Sequence, residues 1–501
     1  MVQTQERRSI SGIRGTAETF PPSKAADYTK AFATLLREIM PGNTVLAGMD
    51  TRPASGDYAV HVIESLREAG WDVVDLGIVP TPTVQIAIAK FEAAGGVVVT
   101  ASHNPLEYNG VKFLQNRQGH GMFLTTQQIA QLFAVYDGGR FDVRRKGECR
   151  PVAQFASQFD DPPYTTEYLD RCGIELPVDN AVILDHHLHR VVAAMGNELD
   201  RIRGMNFRVA MDSCGGAGIP MNYVFLDYVY CNVERVNDAR GVFPRPIEPT
   251  PGNLEALCTA LAGHAPPYDV GFVTDCDNDR CVLIARNPET GRYVALEEDY
   301  TFAIAVEHVL SGMPRGSTVV TNWSTSQMLH DIASAHHANL RRAPTGEVYT
   351  ASEAHHYLAG IAGEGSCAGV MDPRVGMGRD VLVAIWLILG ALARRGDGLH
   401  RLVQAMPRYY KANRDHPTNR TPQELDVLLH KLQVHYAQKA NILFINREDG
   451  LIVYFNDKSR IQIRASNTEP VLRLRAEAPD KAQAEALVED AARAMSAFAA
   501  D

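Results

Sequence analysis

The sequence lacks the features that mark several large classes of protein. Its eight cysteines are spread over 501 residues without a CxxC pair, which argues against a disulfide scaffold or a zinc ribbon and favours a reducing compartment. The formal net charge is −10, and no basic block is long enough to suggest a nucleic acid or an anionic membrane as a partner. The longest apolar run, Val381 to Ala393, is shorter than the about 20 residues that a membrane-spanning helix needs. The start, MVQTQERRSI, has no signal-peptide core, so we expect a cytoplasmic protein.

The length and the apolar content of the chain predict several folded domains. Apolar residues make up 45% of the sequence, as in soluble globular proteins. At about 100–200 residues per domain, the chain is long enough for about three or four cores. A small binding module is therefore excluded.

Three stretches of the chain share one order of predicted elements, which is strand, helix, strand, and then a strand that leads into a polar loop. They run from Thr44 to Pro105, from Phe207 to Asp279 and from Ser317 to Cys367. Strands that alternate with helices indicate βαβ units and largely parallel sheets. Because the loops beyond the carboxyl ends of such strands form the binding crevice, we expect each repeat to deliver one polar loop to a shared centre.

The C-terminal part of the chain follows a different pattern. Between residues 441 and 478 short alternating segments predict a β-meander, and Asp480 is placed to cap a helix that runs to about Ala499. This pattern predicts a fourth, α+β unit. We interpret Arg408–Pro422 as the linker before it, and Asp160–Tyr164 as the end of the first unit.

Three aspartates follow the apolar strand DVGFV at alternate positions. Asp275, Asp277 and Asp279 would lie on one side of an extended segment. At roughly 4–6 Å and an effective dielectric constant near 20, each pair would repel by about 3–4 kcal/mol, so a counter-cation is needed. Oxygen ligands favour Mg²⁺, Mn²⁺ or Ca²⁺. An EF-hand is excluded because Arg280 and Arg286 stand where its Gly and Glu belong, which leaves a solvated acidic turn as the alternative.

A serine lies at the end of the strand GGVVV. Ser102 is followed by His103, Asn104 and Lys112 in the segment TASHNPLEYNGVKF. The segment lacks the GxSxG pattern of a hydrolase nucleophile elbow. With these donors nearby, Ser102 is a candidate covalent carrier of a phosphoryl group, and Lys112 is a candidate proton donor or acceptor.

Two further loops contain groups that suit a phosphorylated sugar. In RASNTEPVLR, two arginines flank a turn rich in hydroxyl and amide groups, which suits a phosphate dianion; an exposed salt-bridge ladder is the alternative. Glu364 and Ser366 in GEGSCAG are candidates for holding vicinal hydroxyls. The glycine spacing there imitates a dinucleotide fingerprint, but MDPRVG follows where a helix should begin, which excludes NAD.

The histidine clusters lack the spacing of metal ligands, and we interpret them as helix-surface residues. These histidines are His186, His187, His189, His336, His337, His355 and His356.

Taken together, these motifs resemble those of the α-D-phosphohexomutase superfamily, which includes phosphoglucomutases, phosphomannomutases and phosphoglucosamine mutases. The motifs are SGIRGT, TASHNPLEYNGVK, DCDNDR, GEGS and RASNTEPVLR, in that order. The resemblance implies an α/β fold class, with three repeated mixed α/β domains and a C-terminal α+β domain of TBP-like fold in a heart-shaped four-domain architecture. The domains would span residues 1–158, 159–291, 292–400 and 401–501.

The resemblance also implies a role for each motif. Ser102 would be the phosphoserine, and its phosphate would bind Mg²⁺ together with Asp275, Asp277 and Asp279. The residues lining the reacting phosphate would be Arg14, His103, Lys112 and Arg280. The residues binding the rest of the substrate would be Glu347, Glu364, Ser366, Arg464, Ser466, Asn467, Thr468 and Arg473.

The implied reaction is the Mg²⁺-dependent interconversion of hexose 1-phosphates and hexose 6-phosphates, as in phosphomannomutases and phosphoglucomutases. It would pass through the phosphoserine and a 1,6-bisphosphate, with the fourth domain acting as a mobile lid. A hexose 1,6-bisphosphate activator and small sugar phosphates are the expected ligands, and the protein would be a monomer or a homodimer.

Two departures from the family pattern leave the identity of the sugar open. Ala368 stands where many members carry a histidine, and Glu347 where others often carry a histidine or an aspartate. The loop GEGSCAG resembles the GEGNGG variant of some less studied mutases and phosphoglucosamine mutases. Phosphoglucosamine mutase is therefore the first alternative, and a non-catalytic sugar-phosphate-binding regulator is the second.

Overall fold

The computed structural model describes residues 6–174, 180–465 and 471–499. The described strands form four sheets, which follow one another along the chain. Ser466, Asn467 and Thr468, which the resemblance assigns to substrate binding, lie outside the described residues.

The first sheet belongs to the N-terminal part of the chain. Its strands are β1 (Arg7–Ser9), β2 (Gly12–Thr16), β3 (Thr44–Met49), β4 (Asp72–Ile78), β5 (Gly95–Val99), β6 (Tyr108–Arg117), β7 (His120–Phe123) and β8 (Cys149–Pro151). Its helices are α1 (Pro22–Ile39), α2 (Ser55–Glu68), α3 (Thr81–Lys90) and α4 (Thr126–Gly138). The strand order is β1-β2-β6-β5-β3-β4-β8, with β7 paired to β6.

Three helices precede the second sheet, and two more lie between its strands. The segment comprises α5 (Tyr164–Cys172), α6 (Ala181–Met195), α7 (Glu198–Arg203), β9 (Arg208–Asp212), α8 (Met221–Tyr228), β10 (Asn232–Val236), α9 (Glu255–Leu261), β11 (Val270–Thr274), β12 (Cys281–Arg286) and β13 (Tyr293–Ala295). The strand order is β10-β9-β11-β12-β13.

The third sheet is enclosed by helices at both ends of its segment. The elements are α10 (Asp299–Leu310), β14 (Thr318–Asn322), α11 (Met328–Ala335), β15 (Asn339–Ala343), α12 (Glu347–His356), β16 (Ile361–Glu364), β17 (Gly369–Met371), α13 (Val381–Arg395) and α14 (Leu399–Ala405). The strand order is β15-β14-β16-β17.

One topology recurs in these three sheets. In each, the first strand of the repeat lies between the second and the third and is parallel to both, as β3 is to β4 and β5, β9 to β10 and β11, and β14 to β15 and β16. The next strand then returns antiparallel. The threefold repeat is therefore confirmed. The sequence predicted largely parallel sheets, but the sheets are mixed. In each sheet, the strand that follows the polar loop runs antiparallel to the strand that precedes the loop.

The fourth sheet is antiparallel throughout, with the order β18-β22-β21-β20-β19. Its elements are β18 (Tyr410–Pro417), α15 (Pro422–Ala437), β19 (Ile442–Asn446), β20 (Leu451–Phe455), β21 (Arg460–Ala465), β22 (Val471–Ala478) and α16 (Lys481–Ala499). The sheet and the two helices share one core, in which Ile461 and Ile463 of β21 belong to the same cluster as Leu432 of α15 and Met495 of α16. The predicted meander and the final helix are thus present.

The predicted linker Arg408–Pro422 is wrong, because most of it is a strand. Tyr410 to Pro417 pairs with β22 along its whole length. Its side chains are largely exposed, so it lacks the apolar alternation by which a strand is found in a sequence. It is an edge strand held by backbone hydrogen bonds, and its proline lies at its end, where such strands tolerate one.

Buried polar contacts join the fourth sheet to the third. Arg460 donates from Nη1 to the carbonyl of Trp323 at 2.6 Å and from Nη2 to that of Thr325 at 2.7 Å. The Nε of Arg460 bonds to Glu477 Oε2 at 2.9 Å, and the same oxygen accepts the backbone N–H of Gln327 at 2.9 Å. The position of the fourth sheet is therefore fixed by satisfied buried groups.

Helices α13 and α6 both place side chains in the interior of the protein. Helix α13 is buried along most of its length, as expected for the longest apolar run. His187 on α6 is not on the surface: it is fully buried, with Nδ1 at 2.9 Å from Thr83 Oγ1 and Nε2 at 2.6 Å from Asp380 Oδ2. The other clustered histidines are half-buried or exposed.

In the described ranges, none of the helices combines the length and the apolarity needed to cross a membrane.

Candidate functional site

Residues from all four sheets line one cavity of about 480 Å³, here called the central cavity. Ser102 follows β5, Arg280 precedes β12, Ser366 follows β16, and Arg464 belongs to β21. The expectation that the polar loops meet at a shared centre therefore holds. The predicted site residues that line the cavity are Arg14, Ser102, His103, Lys112, Arg280, Glu347, Glu364, Ser366, Arg464 and Arg473.

Ser102 sits in a strained backbone conformation at the cavity wall. Its φ is +52°, in the left-handed region that a residue with a Cβ adopts at a cost. Its backbone N–H donates to Thr100 Oγ1 at 2.8 Å, and its Oγ lies 3.1 Å from Asp275 Oδ2. The loop therefore holds the hydroxyl against the aspartate cluster.

Arg52, which was not predicted from the sequence, holds the backbone of this loop. Its side chain is 1% exposed and its Nε lies 3.2 Å from Asp50 Oδ2. Its two terminal nitrogens donate to four carbonyl oxygens of the loop, with N···O distances of 2.7 to 3.1 Å. Those carbonyls belong to Ser102, Asn104, Pro105 and Tyr108. The strained conformation is thus fixed by one guanidinium group.

Replacing Arg52 with methionine is expected to lower the free energy of unfolding by about 3–5 kcal/mol, because Asp50 would remain as a buried charge without its partner. The first transition in urea denaturation measures this loss. Arg150→Met is the matched control, since the Arg150–Glu148 pair is exposed and worth about 0–1 kcal/mol. Equal transitions for the two variants would contradict the role of Arg52.

The three aspartates lie directly behind Ser102 and are buried. One ligand atom from each lies within 4.8 Å of the others. Asp277 Oδ2 accepts hydrogen bonds from Thr81 Oγ1 at 2.7 Å and from Lys112 Nζ at 2.6 Å. Among the described residues, the Oδ1 atoms of Asp277 and Asp279 are buried without a hydrogen-bond partner. Unpartnered carboxylate oxygens around one point fit a hard divalent cation such as Mg²⁺.

Charge and burial shift the pKa values in this cluster in opposite directions. Burial, with Asp279 and Asp277 adjacent, holds the pKa of Asp275 well above its usual range. Burial also works to raise the pKa of Asp279, but Arg379 and Lys112 lower it below that range. For Lys112, burial is outweighed by Asp277 and Asp279, which raise its pKa. Burial and the adjacent aspartates therefore disfavour the charged form of Asp275 unless a cation lies beside it.

Two arginines on the cavity side of Ser102, Arg14 and Arg280, are suited to an anion. Arg14 Nη1 donates to Asn104 Oδ1 at 2.8 Å, and Arg280 Nη2 lies 2.7 Å from His103 Nδ1. Burial lowers the pKa of Arg14 to about 10, which leaves it charged at neutral pH. Burial and the adjacent Arg280 lower the pKa of His103 well below its usual range. His103 is therefore neutral here and accepts from Arg280.

The segment from Glu364 to Ala368, here called the sugar loop, takes part in a hydrogen-bonded group with Asn322 and Gly346. Glu364 Oε1 accepts from Asn322 Nδ2 at 2.8 Å and from the backbone N–H of Gly346 at 2.9 Å. Asn322 Nδ2 also lies 3.4 Å from Ser366 Oγ. Burial raises the pKa of the neighbouring Glu347 to about 7. Ala368 is packed in a separate apolar cluster and does not line the central cavity.

The fourth sheet presents arginines to the cavity from adjacent strands. Arg464 on β21 pairs with Arg473 on β22, so both side chains lie on the same face of the sheet. Arg475, two residues further on, shares this face and also lines the cavity. Arg475 was not predicted from the sequence, although the alternation in VLRLRAEA indicates that it lies on the same face of the strand as Arg473. The arginine face defined by Arg464, Arg473 and Arg475 is suited to a phosphate group.

Arg379 is the third residue, after Arg52 and Arg475, that was not predicted from the sequence. Its Nη2 lies 2.7 Å from Asp279 Oδ2, its Nε 2.9 Å from Glu347 Oε2, and its Nη1 3.1 Å from Glu364 Oε2. These partners are up to a hundred positions away in sequence, so no local pattern points to it.

Comparison with known proteins agrees with this geometry. The family models of phosphoglucomutase/phosphomannomutase match residues 6–140 as alpha/beta/alpha domain I, 297–410 as alpha/beta/alpha domain III, and 403–494 as the C-terminal domain. The domain boundaries at 158, 291 and 400 stay predictions.

Relatives match over almost the whole chain. A phosphoglucomutase/phosphomannomutase of Thermococcus kodakarensis is 30% identical over 95% of this chain and 96% of its own. A probable phosphoglucosamine mutase of Methanopyrus kandleri is 28% identical over 95% of each chain. A phosphoglucomutase/phosphomannomutase family protein of Burkholderia thailandensis shares the fold, with a TM-score of 0.75 at 23% identity, covering 99% of this chain and 98% of its own. The chain therefore belongs to the phosphoglucomutase/phosphomannomutase family of the α-D-phosphohexomutase superfamily, and it is an enzyme of the isomerase class that moves a phosphate group within its substrate.

Proposed function

We propose that this protein is a Mg²⁺-dependent phosphohexomutase that interconverts hexose 1-phosphates and hexose 6-phosphates through phospho-Ser102 and a 1,6-bisphosphate. The observation that carries this proposal is that Ser102, beside its aspartate cluster, and the arginine face of the fourth sheet line the same cavity. A hydrolase needs one phosphate site, whereas a mutase also needs a receptor for a second phosphate on the same sugar.

The charges around Ser102 support a phosphoserine. A phosphoserine carries close to two negative charges, and the three aspartates add three more. Arg14, Lys112 and Arg280 provide cationic groups around the same point. Mg²⁺ held by Asp275, Asp277 and Asp279 would supply the remaining neutralisation that phosphoryl transfer requires.

Proton transfer in this scheme involves Lys112. When the phosphoryl group moves from Ser102 to a sugar hydroxyl, the bond from Ser102 Oγ to phosphorus breaks, and a bond from the sugar oxygen to phosphorus forms. The sugar oxygen loses a proton and Ser102 Oγ gains one. Because the pKa of Lys112 is raised by Asp277 and Asp279 in spite of its burial, Lys112 is protonated and suits the donor role toward Ser102. Once it has given its proton to Ser102 Oγ, the neutral Lys112 amine would take up the proton that the sugar hydroxyl releases, and in the reverse phosphoryl transfer the same two proton transfers would run in the opposite direction.

Phosphoglucosamine mutase is the second candidate, and two observations favour it. Several relatives carry that description, at 26 to 28% identity. The loop GEGSCAG also resembles the GEGNGG variant of some phosphoglucosamine mutases. The regulator alternative is disfavoured because Ser102 lines the cavity and its Oγ lies 3.1 Å from the buried aspartate cluster, at Asp275 Oδ2.

A substrate panel tests the proposal. We expect turnover of at least one of glucose, mannose and glucosamine 1-phosphate with Mg²⁺ present, and a loss of about 10³-fold or more when the metal is chelated. The highest kcat/KM identifies the sugar, and readdition of Mg²⁺ is the control. No turnover of any of the three would contradict the mutase and support the regulator.

A further inference from the structure

Arg379 occupies a position between two functional loops. It lies between β17 and the start of α13, and its side chain is 11% exposed. One guanidinium group contacts Asp279 in the aspartate cluster, Glu364 in the sugar loop and Glu347 at the start of α12. It therefore links the predicted metal site to the predicted sugar site through three buried carboxylates.

The contact with Asp279 decides which of its oxygens is free. Asp279 Oδ2 accepts from Arg379 Nη2 at 2.7 Å and from Lys112 Nζ at 3.2 Å. Asp279 Oδ1 is buried and has no hydrogen-bond partner among the described residues. Because the two cationic side chains hold Oδ2, the carboxylate is oriented with Oδ1 toward the cation site. Arg280 Nε lies 3.9 Å from Oδ1, which is too far for a hydrogen bond.

The contact with the sugar loop has a similar effect on Glu364. Asn322 and Gly346 hold its Oε1, and Arg379 Nη1 holds its Oε2 at 3.1 Å. Glu347 Oε2 is held by Arg379 Nε at 2.9 Å. A guanidinium group can make these contacts at once because its donors diverge in one plane, which an ammonium group cannot reproduce.

The backbone also makes room for this side chain. A Cβ placed on Gly369 would lie 2.2 Å from Cδ of Arg379, closer than two carbon atoms can approach. Gly369 is the first residue of β17 and pairs with Glu364. The glycine therefore permits the aliphatic part of Arg379 to cross the strand on its way to the carboxylates.

We propose that Arg379 is a positioning residue that sets the geometry of the metal site and of the sugar-binding loop together. It does so by orienting Asp279, Glu347 and Glu364, and Gly369 is the residue that allows it. The proposal rests on the proposed function for the identity of the two ligands. Outer contacts of this kind typically change metal affinity or activity 10- to 100-fold.

The test compares Arg379→Lys with Gly369→Ala. The lysine variant keeps the charge but loses the planar set of donors, and the alanine variant keeps every polar group but displaces the guanidinium. Arg374→Lys is the matched control, because Arg374 belongs to the same segment, is half exposed and does not line the cavity. The metal probe is Mn²⁺ titrated into metal-free protein and followed by its electron paramagnetic resonance.

For both test variants we expect a Kd for Mn²⁺ that is about tenfold higher or more. At saturating Mg²⁺, we expect a KM for the hexose 1-phosphate that is raised by a similar factor. The control should match the wild type in both measurements. Wild-type Mn²⁺ affinity and KM in Arg379→Lys would overturn the proposal, since charge alone would then suffice.

The Mn²⁺ titration separates this proposal from the proposed function. If no hexose phosphate is turned over by the wild type, the mutase proposal fails, whereas the change in Mn²⁺ affinity still decides the role of Arg379. If Arg379→Lys does not fold, Gly369→Ala carries the comparison, because it removes no charged or hydrogen-bonding group. Unchanged Mn²⁺ affinity in that variant would equally overturn the proposal.

Discussion

The Ser102→Ala variant is expected to have mutase activity below about a thousandth of the wild type, because no other group would carry the phosphoryl between the two ends of the sugar. Ser102 Oγ lies in the cavity wall, 3.1 Å from Asp275 Oδ2. Activity is measured with a hexose 1-phosphate and Mg²⁺. Retention of a tenth or more of wild-type activity would contradict the covalent role.

Intact-mass spectrometry gives the same variant an independent readout. The wild type should carry the mass of one added phosphate, and Ser102→Ala should carry none. Ser496→Ala is the control, since Ser496 lies on α16 and bonds only to the local carbonyl of Ala492 at 3.0 Å in the described structure. That variant should keep both the phosphate and the activity.

Substitution of the same serine by glycine should separate function from stability. At φ +52° a glycine has no steric penalty, so Ser102→Gly should be inactive yet more stable by roughly 0.5–1 kcal/mol. Urea denaturation measures the difference. A less stable Ser102→Gly would mean that the loop is not strained by its backbone conformation.

The Asp275→Asn variant is expected to lose activity by about 10³-fold or more and to lose its stabilisation by Mg²⁺. A ligand that binds only the folded state raises its stability, and the amide provides neither the charge nor the full oxygen set of the cation site. Thermal unfolding with and without Mg²⁺ is the measurement. An unchanged shift in Tm on adding Mg²⁺ would rule out Asp275 as a ligand.

Without Mg²⁺, the same variant should be at least as stable as the wild type at neutral pH. Burial and the neighbouring aspartates raise the pKa of Asp275 above its value in the unfolded chain, so this group costs stability increasingly as the pH rises above that unfolded value. A neutral amide removes the cost. Asp238→Asn, an exposed substitution near Arg235, is the control and should behave as the wild type does.

The repeats and the main site loops could be predicted because their signals are local. An apolar strand followed at once by polar residues identifies both the loop after β5 and the loop after β11. Such loops meet in space because the repeated topology places them at equivalent ends of their sheets. Ser102 and Asp275 were accordingly found without knowledge of the packing.

Two of the residues that were not predicted from the sequence, Arg379 and Arg52, act through distant partners. Arg379 contacts Asp279, a hundred positions away, and Arg52 bonds to carbonyls that lie 50 and 52 positions further along the chain. His187 is buried because α6 lies between the first and third units, which its own sequence does not reveal. Strand β18 was missed since backbone pairing along an edge leaves no apolar period.

The pairing of β18 with β22 restricts how the enzyme can release a product. Tyr410 already belongs to the fourth sheet, and α14 ends at Ala405. The segment that joins α14 to the fourth sheet therefore spans five Cα–Cα steps, or at most about 18 Å when fully extended. Even if the buried contacts of Arg460 with the third sheet were broken, this short segment would limit how far the fourth sheet could move away. Its arginine face would then stay within reach of the cavity mouth during each turnover. In the proposed mechanism, this would favour recapture of a reoriented bisphosphate over its escape to solvent.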